Sequence, residues 1–566
     1  MMKKLLTIAL LQMCILGVAQ NPLFIPDTLV GPNYTLNMHK DSVQFFPGKK
    51  SYTYAYNANK YLGPTLIFKK GTPVNITVNN QIGDTTTVHW HGIHLPAIWD
   101  GGPHSEILPS GTWNPHFTVM DNAATYWYHP HPEKKTAKQA IKGAAGLIIV
   151  RDSVESTLII PRKYGIDDFP VIVQCQQYDS LNQAMPLGME DSTLLVNGTR
   201  NPYLNIPAQV VRIRLLNASG ERVFNFGFTA NKQFFQIATD GGLLDAPVLE
   251  TRIRLAPGER AEILLNLTGM NGQFFYLRSY GSELPIGMQG GPTMPMPPGS
   301  PPMDSPLNGI DFNIMKINVA AQTINPIITV PTTLTTNTVY SEMSANITRT
   351  LRFTADSITV MDGPFYFNDS SFNMMRVDYT IPLNSIEIWK LVNETMVAHP
   401  FHIHDVQFFI LDRNGNPPSP EEAGRKDVVL VPTGDSVRFI TKFTDFSDAA
   451  IPYMFHCHVL MHEDAGMMGQ FIVSPSAVGI AEMNSVKDDI MLYPNPASDK
   501  VQIRLTNISS FKLFKIIVYD QTGRFIFQSM NNTSDSSIDI SQWNKGFYTV
   551  NITDGQKTIH KKLIIQ

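Results

Sequence analysis

Along most of the chain the apolar positions come in short runs of Val, Ile, Thr and Phe set between Gly, Pro, Asn and Asp. Such runs predict strands rather than helices. Gly146-Leu147-Ile148-Ile149-Val150 is one, and strands are expected near Val210 to Leu216, Phe235 to Ala238 and Arg252 to Leu267. No heptads, long helical periods or solenoid repeats stand out, so the pattern predicts an all-β chain of sandwiches or barrels. Two stretches depart from it. At the N-terminus, Lys3-Lys4, an apolar run from Leu5 to Val18 and a small Ala19 read as a secretory signal peptide over residues 1–19. No later stretch is apolar enough, for long enough, to span a membrane. After Pro475 the chain turns Ser/Asn/Asp-rich.

A chain of 566 residues is too long for one hydrophobic core. The expected domains are 22–152, 155–325, 330–475 and a small C-terminal module, 485–566. The 38 Gly and 40 Pro agree with many turns, and 44 basic against 48 acidic residues give no basic face for nucleic acid. Of three cysteines, Cys14 leaves with the signal peptide, and Cys175, in the run Val171-Ile172-Val173-Gln174, reads as a small buried hydrophobe. No disulfide is expected, because Cys457 is needed as a free thiolate.

That need comes from the histidines. Nine of the fifteen fall in four short motifs: His89-Trp90-His91, His129-Pro130-His131, His399-Pro400-Phe401-His402-Ile403-His404 and His456-Cys457-His458. Successive strand side chains point to opposite faces, so His-x-His puts both imidazoles on one side. Four such pairs can surround three metal ions. In the last motif the two histidines face that cluster while Cys457 faces away, where His462 and Met467 help complete a His2Cys site with a weak axial methionine, the blue-copper geometry. The remaining histidines, His39, His94, His104, His116 and His560, read as ordinary core or surface residues. None lies between His131 and His399. The cluster is therefore expected between the first and third domains, with the ligand-free second domain as a spacer.

These motifs resemble those of the multicopper oxidases, over roughly residues 22 to 475. The resemblance implies three cupredoxin-like β-sandwich domains and four copper ions. By it the type 1 copper takes His399, Cys457, His462 and Met467, and the type 2 copper takes His89 and His402. The type 3 pair takes His91, His129, His131, His404, His456 and His458. Electrons from a small reducing substrate pass through the edge of His462 or His399, and dioxygen is reduced to water. Asp100 and Glu463 occupy family positions assigned to proton delivery, and an axial methionine implies a middling reduction potential. The C-terminal module, from Leu492-Tyr493-Pro494-Asn495-Pro496 to Lys561-Lys562, is similar to the sorting domain of type IX secretion cargo, a small β-sandwich. It implies the type IX machinery as a partner and a secreted or cell-surface location, with passage through the periplasm.

The segment from Pro285 to Pro306 holds Met288, Met294, Met296 and Met303 among many Pro and Gly. It reads either as a loop that captures Cu(I) through soft thioethers or as a surface linker. The function expected from these features is oxidation of phenolic or other organic donors, or of Cu(I). The alternatives are a non-catalytic copper-binding and resistance protein, and a relative that has lost its copper, which the intact ligand set opposes.

Overall fold

A computed structural model describes residues 20–186, 190–293, 305–357, 360, 363–475, 490–505, 514–521, 524–531, 533, 535–553 and 558–566. The expected signal peptide and Met294, Met296 and Met303 lie outside the described residues. The all-β expectation holds. Among the described residues the α-helices are three five-residue pieces, Thr136–Ala140, Ser153–Thr157 and Leu460–Asp464. None is long and apolar enough to cross a membrane.

Strand alternation builds three double-sheet layers within residues 1–477. In the first, the sheet order is Thr28–Val30, Thr65–Lys69, Gly146–Arg151, Ala124–His129 and His89–His91. It packs against a second sheet of Ser51–Tyr56, Asn33–Val43 and Pro73–Gln81, with Leu36, Val78, Trp90, Tyr126 and Val150 in the shared core. The middle layer pairs sheets from residues 168 to 320 around Phe224, Phe226, Ile213 and Leu265. The N-terminal strand Asn21–Pro22 joins this middle layer, parallel to Pro202–Pro207. The third places Ile347–Ala355, Ile386–Asn393 and Ser436–Lys442 against Met468–Ser474, Asp448–Cys457, His399–Ile403 and Val428–Val431. Phe353, Trp389, Phe401 and Phe455 fill its core.

The predicted run over Arg252–Leu267 is not one strand. It divides into Arg252–Leu255 and Arg260–Asn266, in different sheets. Pro257 lies in the gap, where its missing N–H takes no ladder bond.

Residues 478–566 form a separate unit. Its described strands make a three-stranded sheet containing Lys500–Leu505 and a four-stranded one containing Gly546–Thr553, around Val501, Val518, Val550 and Leu563.

Candidate metal centre

Register brings the histidine motifs together. His129 pairs with His89, and Trp127 with His91, so both strands turn their imidazoles to one face. In the third layer His402 pairs with His456, while Cys457 pairs with Phe401 and points to the other face. All nine motif histidines, Cys457 and Met467 are buried, most of them completely.

The ligand atoms gather as His89, His91 and His402; as His91, His129 and His458; as His131, His404 and His456; and as His399, Cys457 and His462. The second and third gatherings divide the six type 3 candidates into two trios. His89 Nδ1 donates to the Asp100 carbonyl at 2.8 Å and His402 Nδ1 to the Asp427 carbonyl at 2.8 Å. Their Nε2 atoms are buried with no hydrogen-bond partner. In the trio of His131, His404 and His456, the Nε2 atoms approach to 3.1 and 3.4 Å. The Nδ1 atoms of that trio face oxygens: Asp100 Oδ2 at 2.7 Å from His404, the Cys457 carbonyl at 3.0 Å from His456, and Glu463 Oε1 at 3.3 Å from His131. The acceptors at His404 and His456 hold those protons on Nδ1, whereas His131 Nδ1 lies near Glu463 without a hydrogen bond, so the Nε2 lone pairs of His404 and His456 point at one another. A metal cation would relieve that repulsion, and imidazoles bonded to oxygen in this way are the usual metal ligands.

Burial disfavours the charged imidazolium. It pulls His89, His91, His131, His399, His402 and His458 well below the ordinary value, with neighbouring histidines adding to the effect. It brings His129 to about 4 and His462 to about 3. For these eight rings burial favours the neutral form, the one that can ligate.

Cys457 Sγ lies 3.4 Å from His399 Nδ1 and 3.5 Å from His462 Nδ1. Met467 is completely buried and its backbone bonds to Cys457 and His462. Burial pushes the Cys457 thiol well up, so a thiolate there needs a cation beside it. Two imidazoles, a thiol and a thioether are the donor set that selects copper. The Phe365 ring packs against both His399 and His462, at 4.8 and 4.5 Å. His399 is 0% exposed and His462 7%, so of the two buried residues His462 has the more solvent contact.

Neither carboxylate singled out in the sequence is a surface group. Asp100, 2% exposed, bonds His404 by its side chain and His89 by its carbonyl. It is held in place by Gly101, whose φ is +77° and where any Cβ would collide with the Val88 carbonyl oxygen. Glu463, in the helix Leu460–Asp464, lies 3.3 Å from His131 and 3.2 Å from His456. Burial pushes its carboxyl up, but His456 and its neighbours outweigh this and hold it below the ordinary value.

Three residues carry more than the sequence suggested. Asp427 and Arg260 support the ligands from behind, and His94 is bound between Asp405 and Asp445 at 2.7 and 3.2 Å. No local spacing signals that Asp405 meets His94 across 311 positions or Asp427 meets Arg260 across 167. Cys175 is a buried free cysteine, as expected.

Residues 37–155 and 337–477 each match the multicopper oxidase family, and residues 491–566 match the secretion system C-terminal sorting domain. The multicopper oxidase mco of Staphylococcus haemolyticus is 34% identical over 451 residues, 78% of this chain and 88% of its own. The cell division protein FtsP of Escherichia coli is 30% identical over 464 residues, 81% of this chain and 93% of its own. The crystal structure of a laccase from Pediococcus acidilactici superposes with a TM-score of 0.69 at 31% identity, covering 80% of this chain and 94% of that one, and gives the three layers their cupredoxin-like description. These likenesses span the whole ligand-bearing part of the chain, and by them the protein belongs to the multicopper oxidase family: it is a copper-binding oxidase with a secretion sorting domain at its C-terminus.

Proposed function

We propose that the protein withdraws electrons singly from a small donor and delivers them to dioxygen, using four copper ions. His399, Cys457, His462 and Met467 would hold the type 1 ion, and His89 and His402 the type 2 ion. The trios His91, His129, His458 and His131, His404, His456 would hold the type 3 pair. The observation that carries this reading is the convergence of buried imidazole lone pairs on the face opposite to the Cys457 thiol. Bound there, copper supplies one-electron oxidation of the donor and reduction of dioxygen to water. The chain supplies the rest. His462 offers the donor its edge, Phe365 keeps water from the sulfur site, and the peptide bonds linking Cys457 to His456 and His458 join the two centres. Asp100 and Glu463 relay protons toward the cluster, each accepting one before passing it on, a role supported by their burial against His404, His131 and His456.

The donor is a phenol-like organic molecule or Cu(I). Met288 is buried in an apolar cluster with Val223, Leu284, Ala398 and Leu430, which favours packing over metal capture at that position. Export through a signal peptide and type IX machinery to the outside or the cell surface completes the reading. A non-oxidase role has the likeness to FtsP on its side. Against it stand a complete ligand set and both carboxylates.

Oxygen uptake by copper-loaded protein decides, with Cu(I), a simple phenol and bilirubin supplied in parallel. Uptake with Cu(I) alone would make copper ion the substrate, and uptake with phenol or bilirubin an organic donor. No uptake from fully loaded protein would refute the oxidase mechanism.

A further inference from the structure

Among the described residues the middle layer contributes none of the gathered histidine or cysteine ligands, yet one of its side chains reaches the back of the cluster. Arg260, on strand Arg260–Asn266, is completely buried and spends all five guanidinium N–H donors. Nη1 and Nη2 fork onto Asp427 Oδ1 and Oδ2 at 2.5 and 2.6 Å. The other donors go to the carbonyls of Thr125, Gly258 and Asp240 at 3.0, 3.1 and 2.9 Å. Thr125 belongs to the first layer and Asp427 to the third, so this guanidinium joins all three.

Asp427 in turn holds two ligand rings. Its Oδ1 accepts from His91 Nε2 at 3.1 Å, which leaves the lone pair of His91 on Nδ1, facing His129 Nε2 at 3.3 Å. Its carbonyl accepts from His402 Nδ1, which leaves the lone pair of His402 on Nε2. The two rings stack 3.8 Å apart, 8° from parallel. One aspartate therefore fixes the tautomer and orientation of histidines assigned to different copper positions. The space is closed: Gly92, next to His91, has φ +86°, and a Cβ there would meet Asp427 Oδ2 and, at 2.8 Å, Arg260 Nη2. A carboxylate buried this way keeps its charge and rotamer only with a matched cation, and a planar fork fixes it in a way that a point charge does not.

We propose that Arg260 is a positioning residue for the histidine-held copper: its clamp on Asp427 sets the ligating nitrogens of His91 and His402, and with them copper affinity and geometry. This rests on the copper reading above and assigns the ligand-free layer a part in the centre.

The test uses the full, copper-loaded chain with Arg260→Met and Arg260→Lys. Copper is withdrawn with increasing chelator while the blue absorption of the Cys457 site and the electron paramagnetic resonance of the non-blue copper are followed separately. Arg260→Met is expected to lose non-blue copper at a chelator concentration about 10- to 100-fold below the parent's, with an altered hyperfine pattern and the blue band retained. Arg260→Lys, which keeps the charge without the fork, is expected to fall between them, and it carries the test if the methionine variant does not fold. A parent-like chelator midpoint with an unchanged spectrum in the variant tested overturns the inference. A parent chain that takes up no copper at the histidines overturns both the copper reading and the inference.

Discussion

Glu463 lies against two imidazoles and holds no backbone N–H of its own helix, so its contacts suit proton movement more than scaffolding. Glu463→Gln keeps the shape and removes the group that can take up and pass on a proton. Turnover with a saturating donor is expected to fall about 100- to 10,000-fold while copper content by metal analysis stays at the parent's. His94 carries a different message. Burial pulls its imidazole down, but the carboxylates of Asp405, Asp121 and Asp445 outweigh burial and hold it at about 10. Its pKa is thus raised above the unfolded value of about 6.5, so its contribution to stability is complete below that value and is lost as pH rises through about 10. His94→Gln is expected to melt below the parent at pH 6, with a gap that closes near pH 10; a gap independent of pH contradicts this. The sequence exposed the candidate ligands because holding copper would require the His-x-His spacing they show. It hid His94, read as an ordinary histidine, because Asp405 lies 311 positions away and no local pattern connects the two.

At the scale of elements, the strand period of two explains most of the centre. His129 opposite His89 and His402 opposite His456 follow from pairing register, which the alternation of the motifs already implied. Short helices finish the seam between first and third layers. Asp464, at the end of Leu460–Asp464, accepts from the backbone N–H of Thr136 at 2.9 Å and of Ala137 at 3.0 Å, satisfying the open N-terminus of Thr136–Ala140. Asp464→Ala is expected to cost about 1 kcal/mol, read as a lowered melting temperature with the blue band unchanged. A loss of the band would instead give Asp464 a part in the copper site. The sequence did not distinguish this aspartate from a solvated one, since its partners belong to another layer. The break of Arg252–Leu267 into two strands was legible in the sequence, since Pro257-Gly258 is a turn signal between the two runs; which sheet each half would join was not.

On the scale of the molecule, the gap in histidines between His131 and His399 already required ligands from the first and third layers to meet. What it concealed was the middle layer, expected as a spacer, whose Arg260 bonds Asp427 across 167 positions. The C-terminal unit has its own core and its own match to a sorting domain. A chain ending at residue 477 is therefore expected to keep the parent's copper content and oxygen uptake and to lose export, followed by the amounts of protein inside and outside the cell. The central claim, a copper centre divided between a sulfur site and a histidine cluster, is tested most directly by metal analysis and optical spectra of the copper-loaded protein beside its Cys457→Ser variant. The account predicts four copper ions per parent chain, and in the variant three, with the blue absorption gone. One copper or none in the parent, or a blue band that survives the loss of Cys457, would contradict it.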